Sequence, residues 1–222
     1  MADIEGFERL LSKVRFVRLG TGLRNAATNA ANDEGPRPVL VDRYVEWPRV
    51  TEFNNDNVPA GSPSPFANRG TPDYLWGDET AEEGEIYYFG IASNPFTVRA
   101  GEEVDFSAFL SAFADNAMEA VIVLFRERDG RYVPVDPQPT GLGGFILRAG
   151  EPGNPGAGLT ETAPYAWQNV RYYSTDFTVD QRGRYKVAVA FKGTNYELPA
   201  EGTVNPAAIQ FVVDLYITPP ED

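Results

Sequence analysis

The side chains that could carry out chemistry in this sequence are its carboxylates, because it contains neither cysteine nor histidine. It therefore lacks the commonest general base, the commonest transition-metal ligand, a thiolate nucleophile and any disulfide. Two carboxylates facing each other could hydrolyse a glycoside. However, the 32 Asp and Glu residues are spread along the chain, and no spacing selects two of them. The sequence therefore favours a non-enzymatic protein without a catalytic residue or a cofactor.

Metal and nucleotide sites are not predicted either. The densest stretch of oxygen-bearing side chains, NNDN at 54–57, would suit Ca²⁺ or Mg²⁺, but its spacing does not fit an EF-hand loop. An Asn/Asp turn explains it better. The glycine clusters at 20–22, 141–144 and 153–158 fit neither the dinucleotide-binding pattern nor the P-loop pattern, and we interpret them as turns.

Four aromatic residues lie close together near one predicted strand: Tyr165, Trp167, Tyr172 and Tyr173. Exposed tryptophan and tyrosine rings have an apolar face and a polar edge, which suits stacking against sugars. Adjacent residues of a strand point to opposite faces, so at least one of Tyr172 and Tyr173 should belong to a core. A core role is favoured for this group. A carbohydrate-binding module, on a phage tail or a cell surface, is the alternative function.

The net charge of −13 restricts the partners of the protein. Such an acidic body repels nucleic acid and anionic membranes, so neither is expected as a partner. The opening MADIEGFERLL lacks the basic and apolar regions of a signal peptide. No apolar run approaches the ~18 residues of a transmembrane helix. We expect the protein to stay in a cytoplasm, or to leave it by lysis or a dedicated route.

The C-terminal part, residues 81–222, has the pattern of an all-β domain. Apolar residues alternate with polar ones in short runs separated by turns, and Asp129-Gly130 is typical of a hairpin turn. The intervals are too short for helical crossovers between parallel strands. These features predict an antiparallel β-sandwich or jelly roll. Its nine predicted strands lie at 85–93, 95–101, 103–113, 119–129, 130–136, 143–150, 169–180, 183–193 and 207–217.

Residues 1–80 are predicted to be a separate N-terminal region. Apolar residues at steps of three and four indicate an amphipathic helix at 3–19, although its second half, VRFVRL, could equally extend as a strand. Residues 20–38 read as a linker, and 38–50 as an edge strand or extended arm. The stretch 53–78, FNNDNVPAGSPSPFANRGTPDYLWGD, favours neither helix nor strand, yet it carries several large rings.

A segment without its own core gains stability only against another surface, because ordering it costs ~1–2 kcal/mol per residue. The apolar residues of this region are therefore predicted to dock on neighbouring subunits, with wrapping over the chain's own sandwich as the alternative. The predicted interface residues are Phe7, Leu10, Leu11, Val14, Trp47, Phe53, Phe66, Tyr74 and Trp76.

The run DFTVDQRGRYKVAVAF at 176–191 resembles the F-x-V…G-x-Y-x-V-x-V hairpin of many immunoglobulin-like and jelly-roll domains, and PFTVRAGEEVDFSAFL at 95–110 is similar to its companion strands. An acidic sandwich without cysteine or histidine, preceded by an arm with aromatic residues, also resembles the cement or decoration proteins of tailed-phage capsids. The resemblance implies a structural virion protein that binds and stabilises neighbouring subunits, either its own copies or the major shell protein, as a homo-oligomer or part of a large assembly.

Overall fold

The computed structural model describes residues 6–48, 50, 71–149, 169–196 and 205–218. They form two antiparallel sheets packed face to face, with one helix outside. The six-stranded sheet contains β1 (Gly6–Leu11), β3 (Val39–Leu40), β4 (Leu75–Trp76), β7 (Val104–Asp115), β11 (Arg171–Val179) and β13 (Ala208–Thr218). The seven-stranded sheet contains β2 (Arg18–Gly20), β5 (Ile86–Ala92), β6 (Phe96–Val98), β8 (Ala117–Arg128), β9 (Arg131–Pro134), β10 (Leu147–Ala149) and β12 (Gly183–Thr194). The helix α1 spans Leu23–Asn32.

Apart from the β8–β9 hairpin, most neighbouring strands in each sheet come from distant parts of the sequence. The six-stranded sheet has the order β11-β7-β13-β4-β3, and β1 also pairs with β13. The seven-stranded sheet has the order β10-β8-β12-β5-β2, with β6 on β12 and β9 on β8. β11 therefore lies at one edge of the six-stranded sheet, and β7 and β13 form its centre.

The main core lies between the sheets and follows the alternation of the sequence. Alternate residues of β7 and β12 point into it, and they are the ones that the pattern selects: Val104, Phe106, Ala108, Leu110, Tyr185, Val187, Val189 and Phe191. The ring of Phe191 from one sheet stacks on Phe211 from the other, with centroids 4.2 Å apart. The predicted fold class, an antiparallel β-sandwich, is confirmed, and each of the nine predicted strands overlaps an observed strand.

The predicted hairpin turn at Asp129-Gly130 is also confirmed. It joins β8 to β9. Both turn residues have positive φ, 51° for Asp129 and 78° for Gly130. Asp and Gly tolerate this left-handed backbone better than most residues, and it matches the twist of a two-residue hairpin.

The predicted helix at 3–19 is wrong. Residues Gly6–Leu11 form the strand β1, which pairs with β13 from Gly6 opposite Ile217 to Leu11 opposite Val212. Leu10 then points into the main core, while Leu11 points to the outer side. Pairing along a buried strand satisfies the backbone over the whole segment, and this tertiary gain overrides the weak helical periodicity of a stretch that contains Gly6.

The helix α1 lies instead in the predicted linker at 20–38. Its alanines Ala26, Ala27 and Ala31 pack on the outer face of the seven-stranded sheet. They approach so closely that a Cβ on Gly90 would lie 2.1 Å from the carbonyl oxygen of Ala26. Alanine is the best helix former, so composition alone understated this segment. No helix within the described ranges has the length and apolar character needed to cross a membrane.

The predicted boundary at residue 80 does not separate two structural units among the described residues. β1 and β4 pair with β13, and β2 pairs with β5. Strands from residues 1–80 thus belong to both sheets of the sandwich that was predicted to span 81–222. The described strands of the N-terminal region lie within the sheets of the sandwich instead of preceding it as an arm.

Candidate functional site

The outer face of the six-stranded sheet is covered at one end. Trp47 lies over Phe113 of β7 and stacks on Tyr74, with ring centroids 5.6 and 5.5 Å away respectively. The indole Nε1 of Trp47 donates to Oδ2 of Asp115 at 2.7 Å, and the Tyr74 hydroxyl donates to the carbonyl oxygen of Pro48 at 2.6 Å. We call this end the covered end; its buried residues are Trp47, Val50, Tyr74, Phe113, Val170, Ala208 and Val212.

The predicted subunit-interface residues do not form a free surface where the structure describes them. Leu10 and Trp76 are buried in the main core, and Trp47 and Tyr74 are buried at the covered end. This corrects their predicted role, because rings that pack inside their own chain are not available to anchor it to another. Leu11 and Val14 are partly buried against these clusters. Phe7 lies in β1, but its side chain is outside the described part of the chain, as are Phe53 and Phe66.

Within the part of the chain that the structure describes, the other end of the same face is open and carries three aromatic rings in a diagonal line across three strands. Tyr172 of β11 lies opposite Ser111 of β7, two positions from Phe109. Tyr216 of β13 lies opposite Ser107 of β7, which is two positions from Phe109 on its other side. Phe109 is 47% exposed and Tyr172 is 53% exposed. We call Tyr172, Phe109 and Tyr216 the aromatic row.

Short polar side chains flank the rings of this row across the strands. Ser174 of β11 lies opposite Phe109 of β7, and Ser107 of β7 lies opposite Tyr216 of β13. Ser107 also lies opposite Asp176 of β11, which is exposed. The rings of Phe109 and Tyr216 meet edge to face, with centroids 5.5 Å apart. The open end therefore alternates apolar rings with hydroxyl and carboxylate groups.

A buried ion pair lies in the sheet beside the row. Arg9 of β1 donates Nε and Nη2 to the two carboxylate oxygens of Asp214, at 2.7 and 2.9 Å. The side chains of Arg9 and Asp214 are only 5% and 7% exposed. Asp214 lies directly opposite Phe109. The bidentate geometry compensates both charges, so Arg9 is held by this carboxylate.

The tyrosines of the row keep their protons at neutral pH. Burial raises the pKa of Tyr172 above its ordinary value of 10.0. Burial also raises the pKa of Tyr216, and the nearby Asp214 carboxylate raises it further, while Arg9 acts in the opposite direction. Both phenols are therefore neutral groups that can donate a hydrogen bond as well as accept one.

A cleft of about 820 Å³ lies next to the Tyr216 end of the row, which we call its lower end. The cleft is bounded by β7, β11 and the loop at Pro139 and Thr140. Ser107 and Asp176 line it and also belong to the open end. The Thr178 hydroxyl donates to Oδ1 of Asp105 at 2.5 Å within it. We call it the acidic cleft after its four exposed carboxylates, which belong to Glu103, Asp105, Asp176 and Asp180.

The acidic cleft does not have the arrangement of a metal centre. Among the described residues, no group of three or more carboxylates could hold a metal ion. The NNDN stretch at 54–57, which was considered for Ca²⁺, lies outside the described residues. The chemistry that the open end offers is thus stacking on rings and hydrogen bonding to serine, tyrosine and aspartate.

The sequence analysis identified one residue of the row and missed two. Tyr172 faces outward and Tyr173 packs against the core, with its hydroxyl on the carbonyl oxygen of Arg148 at 3.1 Å, as the alternation requires. Tyr165 and Trp167 lie outside the described residues. Phe109 and Tyr216 were not singled out. The signal was present, because each stands between inward-facing residues of a strand.

No protein-family model and no curated protein matches the chain. Among solved structures it is similar to a CBM4 structure, with 8% identity, 67% of this chain and 76% of that chain covered, and a TM-score of 0.29. It is also similar to the isomaltodextranase of Arthrobacter globiformis T6 complexed with panose, with 12% identity, 65% of this chain and 19% of the enzyme covered, and a TM-score of 0.29. For CBM28, a carbohydrate-binding module specific for non-crystalline cellulose, identity is 11%, coverage 68% of this chain and 74% of that chain, and the TM-score 0.24. At such TM-scores these likenesses do not decide what the chain binds.

Proposed function

We propose that this protein binds carbohydrate, with the aromatic row as its binding surface. The observation that carries the proposal is the diagonal line of the half-exposed Tyr172 and Phe109 and the partly buried Tyr216, in which rings alternate with serine and aspartate side chains. A sugar ring presents apolar C–H groups on its faces and hydroxyls around its rim. Rings supply the apolar contact and the polar side chains supply hydrogen bonds, the usual combination in a ligand site.

The pattern favours a sugar over a protein partner. The centre of a protein interface is more apolar than its rim and is depleted in charged residues. Around Phe109 the neighbours across the sheet are instead Ser174 and the ion-paired Asp214. Polar groups beside every ring suit a ligand that is itself polar around its edge.

Binding to a panel of soluble neutral polysaccharides (β-glucan, xylan, dextran, galactomannan and starch) tests the proposal by affinity gel electrophoresis. We expect at least one of them to retard the protein. Phe109→Ala and Tyr172→Ala should each weaken that binding about tenfold or more, which corresponds to ~1.4 kcal/mol of lost contact. Both side chains are about half exposed, so the variants should remain folded.

Phe16→Ala is the matched control. Phe16 is 51% exposed, close to Phe109, and it lies between β1 and β2, outside the row, with the Arg15 guanidinium 4.4 Å from its ring centroid. This variant should bind like the wild type. Absence of retardation by every polysaccharide would contradict the proposed function, and equal binding by all three variants would contradict the proposed surface.

The role in a larger assembly stays a prediction. It includes binding to neighbouring protein subunits, homo-oligomer formation and a place in a viral capsid. Four of the arm residues that motivated it, Leu10, Trp47, Tyr74 and Trp76, are buried within their own chain and do not support it. The absence of catalysis also stays a prediction.

A further inference from the structure

The aromatic row ends next to exposed charges of one sign. At its lower end, Asp176 lies opposite Ser107, and both residues also line the acidic cleft. Carboxylates contribute four of the ten residues that line this cleft, and no lysine or arginine is among these lining residues. A ligand that extends from Phe109 past Tyr216 therefore approaches several exposed negative charges.

The nearest cations are not placed to offset this field. Arg9 is committed to Asp214 in the buried ion pair. Arg171 precedes Tyr172 in β11, and adjacent residues of a strand point to opposite faces. Arg171 lies opposite Ala112, a residue of the main core, so it belongs to the other side of the strand.

We propose that the glycan bound by the aromatic row is an uncharged chain, and that the acidic cleft selects against anionic glycans such as polyuronates. This inference rests on the proposed function. Like charges brought together without a partner raise the free energy of the wrong complex, which is a common source of specificity. The net charge of −13 adds a long-range repulsion of the same sign.

The geometry also indicates an oligosaccharide. The rings of Phe109 and Tyr216 are 5.5 Å apart, and the other diagonal step, from Tyr172 to Phe109, is ~7–8 Å, so the row spans roughly 13 Å. A single sugar contacts one ring or two, whereas a chain contacts all three. The ligand then lies obliquely across β11, β7 and β13, and its end at Tyr216 is the one next to the carboxylates.

Matched pairs of neutral and anionic polysaccharides test this selectivity. The probes are hydroxyethyl and carboxymethyl derivatives of cellulose, starch and guar galactomannan, compared by isothermal titration at low salt. In each pair that binds, we expect the carboxymethyl form to bind about tenfold more weakly, equivalent to ~1.4 kcal/mol. At about 0.5 M salt the Debye length falls to roughly 4 Å and the difference should shrink to about twofold.

Two double variants separate a local effect of the cleft from net charge. Glu103→Gln with Asp105→Asn, two cleft carboxylates outside the aromatic row, should bring the two forms within about threefold of each other without weakening the neutral form. The asparagine at 105 can still accept the hydrogen bond from Thr178. The control, Asp129→Asn with Glu79→Gln, changes the net charge equally at exposed positions outside the cleft and should keep the tenfold difference.

The outcomes distinguish the inference from the function on which it rests. If neither form of any pair binds the wild type, the proposed function fails and the inference fails with it. If the forms bind equally, or if both double variants behave alike, carbohydrate binding stands and the selectivity of the acidic cleft is wrong.

Discussion

The two ends of the outer face of the six-stranded sheet place aromatic residues in opposite environments, although the same strands run through both. Phe113 and Phe109 belong to β7, stand four positions apart and point to the same side of the sheet. Phe113 is fully buried under Trp47 and Tyr74, while Phe109 is 47% exposed beside Ser174. One end of the face therefore belongs to a core, and the other is a surface.

This difference shows what strand alternation decides and what it leaves open. Alternation decides the side of the sheet on which a residue stands, because successive side chains of a strand point to opposite faces. Burial of an outward residue depends on whether another part of the chain covers it. At the covered end, Trp47, Val50 and Tyr74 provide that cover from a distant part of the sequence.

The largest expected effect comes from truncating the two phenylalanines of β7. Phe113→Ala should lower the free energy of unfolding by ~3–5 kcal/mol, because it empties a filled site in a core. Phe109→Ala should cost about 1 kcal/mol or less, since the ring is half exposed and loses mainly its edge contact with Tyr216. Urea unfolding followed by fluorescence measures both, and losses of similar size would mean that the open end is packed like the covered end.

The next effect concerns how the cover is attached. Trp47→Phe keeps a ring over Phe113 but removes the indole N–H that donates to Asp115, a buried carboxylate. We expect the free energy of unfolding to fall by ~1–3 kcal/mol, because the carboxylate loses one hydrogen-bond donor and the ring over Phe113 is smaller. Polysaccharide binding should not change, because the aromatic row lies at the other end of the face.

Tyr44→Phe is the control for that change. Tyr44 is exposed and meets the Trp47 ring edge to face, with centroids 6.0 Å apart. Its conversion to phenylalanine should alter the free energy of unfolding by less than ~0.5 kcal/mol. If Trp47→Phe weakened polysaccharide binding as strongly as Phe109→Ala, the two ends of the face would not be separate regions.

Local patterns were sufficient for the strands of the sandwich. Alternation, turn residues and the Asp129-Gly130 hairpin act over a few residues, so they remain valid without knowledge of the partner strands. The N-terminal region depended on distant partners instead. Gly6–Leu11 is a strand because β13 pairs with it, and the alanines of α1 are buried because β5 approaches at Gly90.

The candidate site was predictable only in part for the same reason. Alternation in β7 places both Phe109 and Phe113 outward, and nothing local separates the ring that is covered from the ring that is open. The covering Trp47 is more than sixty residues from Asp115, to which its indole binds. Tyr172 was accessible to sequence reasoning because its neighbour Tyr173 forced a choice between faces.

The smallest expected effect concerns a buried charge instead of a buried ring: the carboxylate of Glu8, whose burial should lower the stability of the fold at neutral pH. Glu8 precedes Arg9 in β1, and its carboxylate accepts hydrogen bonds from the backbone N–H and the side-chain amide of Asn94 at 2.9–3.0 Å. Arg9 is paired with the oppositely charged Asp214. Glu8 has no bonded cation among the described residues, and burial raises its pKa above the ordinary value of 4.5. The bonds from Asn94 and the field of Lys186 only partly oppose this rise.

Because the folded-state pKa is raised, the stabilisation from protonated Glu8 is complete below pH 4.5 and is lost as the pH rises through the raised value. Glu8→Gln should therefore raise the Tm by about 1–2 °C at pH 7, and the gain should vanish near pH 4. The glutamine oxygen can still accept both bonds from Asn94. Exposed Glu83→Gln should change the Tm by less than about 1 °C at either pH. A decrease of the Tm at pH 7 in Glu8→Gln would show that the ionised carboxylate stabilises the edge of the sandwich, as the Arg9–Asp214 pair does on the opposite side of β1.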